Sequence, residues 1–229
     1  MVLRIIKDKL KHRLNRPLRR RKKLLQHFGI TKILDVGANT GQYATELRKI
    51  KFEGEIISFE PISSVFDVLK NNMKNDSKST QKNFALGDKN ETKTINIAKN
   101  LASSSFFSRT KYFEEIANYT EYISEEKVEI KVLDSIFDTL CNADDVVFLK
   151  LDTQGYEKNI LNGAKESLKK IKGIQIELAL KPTYNEQPNF KEIFKIIEEA
   201  GFTLYSIEEG FEDENTGRLL EIDGIFFRE

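Results

Sequence analysis

Short apolar runs alternate with amphipathic stretches over most of the chain, and the runs have the length of buried strands. Strands are predicted at 32–36, 55–60, 82–86, 94–98, 128–133, 146–151, 173–180, 202–207 and 219–227. Helices are predicted between several of them, at 41–49, from about 61, after 152 and at 190–200. Strands that alternate with helices indicate a parallel sheet covered on both faces. We therefore expect an α/β, doubly wound fold with a mostly parallel sheet of seven strands and an antiparallel last strand, joined by a hairpin.

One stretch, residues 99–127, breaks this pattern, because polar and aromatic residues mix there without a helical or a strand period. A stretch of that length inside a compact domain is often a lid or a binding loop. The same composition fits a surface helix with ordinary core anchors, and the sequence leaves both interpretations open. We expect residues 99–127, 181–190 and 210–217 to shape a pocket for a substrate.

Two carboxylates end the first two predicted strands around a glycine turn. The first strand runs into Asp35-Val36-Gly37-Ala38-Asn39-Thr40-Gly41-Gln42, and the second ends in Phe59-Glu60-Pro61, where Glu60 lies 19 residues after Gly41. Glycine lets a backbone approach a ligand closely, and a carboxylate at the tip of the next strand can accept hydrogen bonds from ribose hydroxyls. This arrangement predicts a site for an adenosine moiety. The alternative is that the glycines only form a tight turn and that Glu60 caps a helix.

The turn does not suit a phosphate. A dinucleotide site needs glycine where this chain has Asn39, and a Walker loop is excluded because no Gly-Lys-Ser/Thr follows. Asp35 is unfavourable beside a diphosphate and favourable beside a cationic amino-acid group. S-adenosylmethionine has no phosphate and carries a sulfonium and an ammonium, so it is the predicted cofactor. Hydride transfer with a nicotinamide cofactor is the least favoured interpretation.

Several motifs taken together resemble the FkbM-type methyltransferases, over a span from about Leu24 to the C-terminus. They are the run 35–42, Phe59-Glu60-Pro61, Ala85-Leu86-Gly87-Asp88, Leu149-Lys150-Leu151-Asp152-Thr153-Gln154-Gly155-Tyr156-Glu157 and Ile222-Asp223-Gly224-Ile225-Phe226. The resemblance implies a class I methyltransferase fold, which is Rossmann-like. It also implies O-methylation, with S-adenosylmethionine, of a hydroxyl of a sugar, glycan or natural product.

The resemblance further implies which residues surround the cofactor. The predicted cofactor-binding residues are Asp35, Gly37, Ala38, Asn39, Gly41, Gln42, Glu60, Pro61 and Ala85. Among them, Glu60 is implied to hold the ribose and Ala85 to lie near the adenine, while Asp152 is implied to lie near the reactive sulfonium. The family commonly has Glu where this chain has Gln154, so no role that needs a charge there is implied.

A sugar hydroxyl is a poor nucleophile, so a general base should assist its methylation. The chain has two histidines, His12 and His27, and both precede the first predicted strand. A carboxylate at the carboxyl edge of the sheet is therefore expected, where such folds place ligands. The catalytic candidates are Asp152, Glu157 and Glu177.

Each catalytic candidate also has a structural interpretation. Asp152 would cap the helix that follows it, Glu157 would favour the dipole of that helix, and Glu177 would be the buried partner of a Lys or Arg. Asp152 and Glu177 offer the oxygen ligands that Mg²⁺ prefers. No third ligand is evident in the sequence, so we predict no metal site and disfavour Mg²⁺.

Composition indicates a soluble domain in a reducing compartment. The 229 residues are 32% charged and contain one cysteine, Cys141, and we see neither a membrane-spanning run nor a signal peptide. We therefore expect a cytoplasmic protein. Eleven Lys and Arg against one acid, Asp8, give residues 1–24 a charge of +10, and since the chain carries +1, the remainder carries −9.

The basic head is predicted to be a separate segment, 1–24, before a methyltransferase domain at 25–229. Its apolar residues follow one helical stripe, Leu3, Ile6, Leu10, Leu14 and Leu18, and Pro17 interrupts it, so that 18–28 should form a second helix. Such a helix can pack on the domain or a partner chain, lie on an anionic inner membrane surface or a glycolipid, or touch nucleic acid. All three interpretations stay open, with nucleic acid the least favoured.

The leading functional hypothesis is an O-methyltransferase that acts on a glycan or small-molecule acceptor. An RNA methyltransferase is the first alternative, prompted by the basic head and opposed by the acidic remainder of the chain. A non-catalytic partner subunit that binds the nucleoside is the second. The sequence does not identify the acceptor.

Overall fold

The computed structural model describes residues 16–229, and their elements follow the predicted alternation. The helices are α1 (Arg16–His27), α2 (Gln42–Lys49), α3 (Ser63–Met73), α4 (Lys111–Ile116), α5 (Leu133–Leu140), α6 (Glu157–Asn162) and α7 (Phe190–Glu199). The strands are β1 (Lys32–Val36), β2 (Glu55–Phe59), β3 (Ser79–Lys82), β4 (Ala85–Gly87), β5 (Glu91–Ala98), β6 (Tyr122–Val132), β7 (Val147–Leu151), β8 (Ile171–Ala179), β9 (Thr203–Glu209), β10 (Glu212–Asp213), β11 (Arg218–Leu219) and β12 (Glu221–Phe227).

Seven strands form the main sheet, in the order β3-β2-β1-β7-β8-β12-β9. The first five of these pair in parallel, whereas β12 is antiparallel to both β8 and β9. β1 and β7 are buried along their whole length, as expected for central strands covered on both faces. The predicted fold is therefore confirmed, including the antiparallel last strand.

Helices cover both faces of the main sheet. α1, α2 and α3 pack on one face, against Ile33 and Phe148. α5, α6 and α7 pack on the other face, against Leu34 and Leu149. Because adjacent residues of a strand point to opposite faces, β1 and β7 each contribute to both cores.

The prediction of one strand at 82–86 is wrong. β3 is an edge strand of the main sheet, whereas β4 belongs to a second sheet of order β4-β6-β5. The Asn83 amide donates to the carbonyl oxygens of Glu60 and Pro61, both at 3.0 Å, at the point where the chain leaves the main sheet. The predicted strands 94–98 and 128–133 fall largely within β5 and β6 of this second sheet.

The aperiodic stretch 99–127 contains a loop followed by a short helix. α4 is a short surface helix, and Phe113 anchors it in the core. The segment before it is a loop, held by the Ser105 hydroxyl, which donates to the carbonyl of Gln154 at 2.7 Å. The stretch ends sooner than expected, because β6 begins at Tyr122.

Helix α1 continues the basic head into the domain. It begins at Arg16 and runs across the predicted boundary between residues 24 and 25, with Arg21 and Leu25 buried. Leu25 packs in the core on the α2 side of the main sheet. Four of the five residues of the predicted apolar stripe, from Leu3 to Leu14, lie outside the described residues, so the role of the head stays a prediction.

A membrane-spanning helix is not found in the part of the chain that the structure describes. None of the helices between residues 16 and 229 is both long and apolar enough to cross a bilayer.

A substitution at Gly163 should test how the second sheet is joined to the main one. A Cβ at Gly163 would overlap the backbone carbonyl of Gly87, where the end of α6 meets β4. We expect Gly163→Ala to lower the free energy of unfolding by about 1–3 kcal/mol, the usual cost of overpacking, in urea titrations followed by circular dichroism. The neighbouring Asn162 is exposed, and Asn162→Ala should change stability by less than about 0.5 kcal/mol. Equal stability of the two variants would contradict this packing.

Candidate active site

The ends of β2, β1, β7 and β8 lie in register at the carboxyl edge of the main sheet. Asp223 of β12 is paired with Glu177 of β8. The residues at this edge form one row across five strands, which we call the edge row: Glu60, Gly37, Asp152, Glu177 and Asp223. Open α/β sheets bind ligands outside these strand ends, so the edge row marks the candidate site.

A buried polar layer lies two residues below the edge row. The Lys150 ammonium is 3.3 Å from Asp35 Oδ1 and 3.4 Å from Asp152 Oδ2, and it donates to the carbonyl of Gly37 at 3.1 Å. Burial alone would lower the pKa of Lys150, but the carboxylates of Asp152, Asp35 and Asp223 raise it above its usual value. Lys150 therefore stays charged and joins β1, β7 and the glycine turn.

Asp35 lies beneath the glycine turn as the counter-ion of Lys150. It is fully buried, and the Ser58 hydroxyl donates to its Oδ2 at 3.5 Å. Burial raises the pKa of Asp35, and the nearby Lys150 opposes this shift. From the sequence, Asp35 is expected beside the cationic part of a cofactor. The structure does not support that contact, because Asp35 does not line the cleft.

The turn between β1 and α2 requires glycine at both of its ends. Gly37 has a φ of +75°, and a Cβ there would overlap the carbonyl oxygen of Asp152. Gly41 has a φ of +92° and lies immediately before the first residue of α2. Asn39, between them, also has a positive φ, and its side chain accepts a hydrogen bond from the Thr40 amide at 2.7 Å. The turn is thus held tightly against the end of β7.

Glu60 fastens this turn to the end of β2. Its Oε2 accepts from the Asn39 amide at 3.0 Å, and its Oε1 accepts from the Ile62 amide at 2.9 Å. Burial raises the pKa of Glu60 to about 7, although the two amides oppose the shift. Ile62 precedes the first residue of α3, so the helix-capping interpretation describes one of these bonds. Each carboxylate oxygen keeps a second lone pair for a ligand.

A cleft of about 380 Å³ opens above the edge row, within the usual size range of small-molecule sites. The predicted cofactor residues that line it are Gly37, Ala38, Asn39, Gln42, Glu60, Pro61 and Ala85. Asp35 and Gly41 do not line it. Leu86 adds an apolar wall beside Ala85, and Leu101 and Phe106 contribute from the loop that precedes α4.

Gln154 connects two of the predicted catalytic carboxylates. Its amide nitrogen donates to Asp152 Oδ1 at 3.0 Å and lies 3.3 and 3.4 Å from the two oxygens of Glu177. Its amide oxygen accepts from the Tyr184 hydroxyl at 2.8 Å. A carboxylate at this position would add a third acid to the pair, so the neutral amide lets Asp152 and Glu177 lie close together.

Among the described residues, neither Asp152 nor Glu177 takes the structural role that the sequence left open for it. α6 begins after Tyr156, so Asp152 is not its cap. Glu177 has Gln154 as its hydrogen-bond partner and forms no ion pair with Lys or Arg. Burial, together with the charge of Glu221, raises the pKa of Glu177 well above its usual value. Both acids line the cleft.

Glu157 does not line the cleft and instead closes the turn before α6. Its Oε1 accepts from the Thr153 amide at 2.7 Å, the Thr153 hydroxyl at 2.9 Å and the Gly155 amide at 3.4 Å. Burial raises the pKa of Glu157, and these donors oppose the shift. These hydrogen bonds hold the turn that carries Gln154. The position of Glu157 outside the cleft gives it no contact with a substrate there.

The predicted site residues leave out several that line the cleft, among them Lys150, Asp223, Tyr43 and Arg21. Lys150 and Asp223 each interrupt an apolar strand, which is the same signal that drew attention to Glu177. Tyr43 donates to Gln175 Oε1 at 3.0 Å, and the guanidinium of Arg21 lies 4.8 Å from the centre of the Tyr43 ring. Nothing in the sequence distinguishes Arg21 from the other cations of the head.

Carboxylates are numerous in the cleft, but they are not grouped as metal ligands. Between residues 16 and 229, no set of three or more His, Cys, Asp or Glu side chains is arranged to hold a metal ion.

A family model described as Methyltransferase FkbM domain matches residues 35–204. The match is shorter at both ends than the resemblance that the motifs indicated, and it leaves out α1 and β12. No curated protein matches the sequence significantly.

Solved structures with the same fold have little sequence in common with this chain. A Listeria monocytogenes protein, provisionally described as an S-adenosylmethionine-dependent methyltransferase, has a TM-score of 0.50 at 9% identity, over 88% of this chain and 92% of its own. An uncharacterized protein from Listeria monocytogenes serotype 4b has a TM-score of 0.52 at 9% identity, over 93% of this chain and 67% of its own. At such identities the likeness shows the fold alone.

Removal of the buried ammonium should strongly destabilise the protein. Lys150→Met leaves the carboxylate of Asp35 buried without a counter-ion, and we expect it to lower the free energy of unfolding by about 3–5 kcal/mol. Adding Asp35→Asn should recover part of that loss, because the double variant no longer buries an unpaired charge. Urea titrations of the single and double variants measure both effects.

The control for this series is Lys127→Met, since Lys127 is exposed on β6. We expect it to change stability by less than about 0.5 kcal/mol. Wild-type stability of the Lys150→Met variant would show that the buried cation is dispensable.

Proposed function

The chain belongs to the FkbM methyltransferase domain family, and on that premise we propose that it transfers a methyl group from S-adenosylmethionine to a hydroxyl of a sugar, glycan or natural product. The observation that carries the proposal is the set of acidic side chains that line the cleft. Five carboxylates line it, those of Glu46, Glu60, Asp152, Glu177 and Asp223. Its two cations, Arg21 and Lys150, are both paired with carboxylates.

These residues fit S-adenosylmethionine better than a dinucleotide. No cation of the cleft lining is free to meet a diphosphate, and Asn39 fills the position at which a pyrophosphate needs glycine. Glu60 would hold the ribose, the turn 37–42 would surround the amino-acid part, and Ala85 with Leu86 would face the adenine. When bound, the cofactor supplies the methyl group that is transferred.

The protein's own contribution is alignment and proton transfer. Orientation of two reactants can be worth effective molarities of about 10⁵–10⁸ M, and the paired Lys150 keeps the turn and the end of β7 in fixed positions. A carboxylate of the edge row would take the proton of the acceptor hydroxyl, a contribution of roughly 10²–10⁴-fold.

The acidic lining also supports a neutral acceptor over RNA. A polyanionic strand would have to approach five carboxylates without a free cation in the cleft wall, whereas hydroxyl groups can donate to them. Cytoplasmic localisation, and contact of the head with an inner membrane surface or a glycolipid, stay parts of this proposal.

Calorimetric titration with S-adenosylhomocysteine tests the cofactor. We expect micromolar affinity for it and no binding of NAD. Glu60→Ala should lower the affinity at least tenfold, because it removes hydrogen bonds to a charged group that are worth about 1.5–3 kcal/mol each. Glu53 is exposed beyond the end of α2, so Glu53→Ala is the matched control and should bind like the wild type. A folded protein that does not bind S-adenosylhomocysteine would overturn the proposal.

Transfer of a tritiated methyl group tests the acceptor class. The protein is incubated with labelled S-adenosylmethionine and, separately, with neutral glycans, small polyhydroxyl compounds and RNA. We expect label in a hydroxyl acceptor as an ether that survives mild alkali, which distinguishes it from a carboxyl ester. Glu60→Ala should transfer little label. Label in RNA alone would favour the alternative enzyme, and bound cofactor without transfer to any class would favour the non-catalytic subunit.

A further inference from the structure

Asp223 lies in the edge row beside Glu177, and sequence analysis assigned it no role. The two residues are directly opposite each other on antiparallel strands, so their side chains project from the same face of the sheet. Both line the cleft, next to Asp152. Three carboxylates from β7, β8 and β12 therefore meet at one end of the cleft.

The three acids differ in the contacts that their carboxylate oxygens already make. Asp152 has one oxygen beside the Lys150 ammonium and the other bonded to Gln154. Both oxygens of Glu177 face the same Gln154 amide. No donor among residues 16–229 forms a hydrogen bond to the Asp223 side chain. Of the three, Asp223 is the acid whose oxygens are open to a ligand.

The groups around Asp223 raise its pKa but leave most of it ionised at neutral pH. Burial, then the negative charge of Asp152, raises the pKa of Asp223 to about 6, while Lys150 opposes the shift. Glu208 on β9 adds to the shift and Arg21 on α1 reduces it; Glu177 faces it from β8. At neutral pH most Asp223 carboxyls are ionised, and a pKa near the working pH suits a general base.

We infer that Asp223 is the general base of this enzyme, an inference that rests on the proposed function. The acceptor oxygen forms its bond to the methyl carbon with one electron pair while its proton moves to an Asp223 oxygen. The carbon–sulfur bond breaks with its electrons on sulfur, which leaves as a neutral thioether. Asp223 then returns the proton to water. Asp152 and Glu177 position the site through Lys150 and Gln154.

Binding of sinefungin tests this placement without an acceptor. Sinefungin is an S-adenosylmethionine analogue that carries an ammonium group where the methyl donor carries the methyl group to be transferred. A free carboxylate at the transfer position should make the wild type bind sinefungin more tightly than S-adenosylhomocysteine. We expect Asp223→Asn to reduce that preference about tenfold or more, while its affinity for S-adenosylhomocysteine stays within about twofold.

Two further measurements distinguish a direct role of the Asp223 carboxylate from a purely structural effect of the substitution. Glu209→Gln on the neighbouring strand β9 is the control, since Glu209 is exposed, and it should keep the wild-type preference. In the unmodified protein the preference should fall as the pH drops through about 6, because Asp223 takes up a proton there. This pH series needs no variant and remains informative if Asp223→Asn does not fold.

The outcomes separate this inference from the proposed function. A wild type that binds S-adenosylhomocysteine but shows no preference for sinefungin overturns the role of Asp223 and leaves the methyltransferase proposal intact. The same holds if Asp223→Asn keeps the full preference. A wild type that binds neither compound overturns the proposed function, and the role of Asp223 with it.

Discussion

The contact on which the site depends joins the Lys150 ammonium to the carboxylates of Asp35 and Asp152. Removing a charge from water costs several kcal/mol, so Lys150 and Asp35 persist in otherwise apolar strands because each compensates the other. The same ammonium donates to the carbonyl of Gly37 and holds the glycine turn against β7. One buried cation thereby fixes the turn, and the turn bounds the cleft in which a cofactor would lie.

The register of the main sheet aligns further residues with this contact and so extends the site. Parallel pairing of β2, β1, β7 and β8 brings four strand ends to one level, and the antiparallel β12 adds a fifth. The resulting row carries four acids and one glycine, while the cations near it, Lys150 and Arg21, are held by carboxylates. Such a surface repels phosphates and accepts hydrogen bonds from hydroxyls, which links the fold to the chemistry that we propose.

The fold, and the residues at 37–42 and Glu60 that line part of the cleft, could be predicted because their signals are local. Apolar runs mark the strands, and the residues at 37–42 and Glu60 lie where strands end. The role of Asp35 could not be predicted in this way, since it depends on Lys150, which is 115 positions away in the sequence and adjacent only through the pairing of β1 with β7. The split of 82–86 depends likewise on the Asn83 amide, which reaches back to Glu60 and Pro61.

The other end of the cleft includes parts of the chain that the family match leaves out. Arg21 of α1 and Asp223 of β12 both line it, and both lie outside residues 35–204. Arg21 forms ion pairs with Glu46 and Glu208 and lies over the ring of Tyr43. It therefore forms part of the cleft wall with its positive charge compensated. A cofactor is common to a family, whereas an acceptor distinguishes its members. If the proposed function holds, acceptor choice is best sought in α1 and the last strands, including a helix that runs across the predicted end of the basic head.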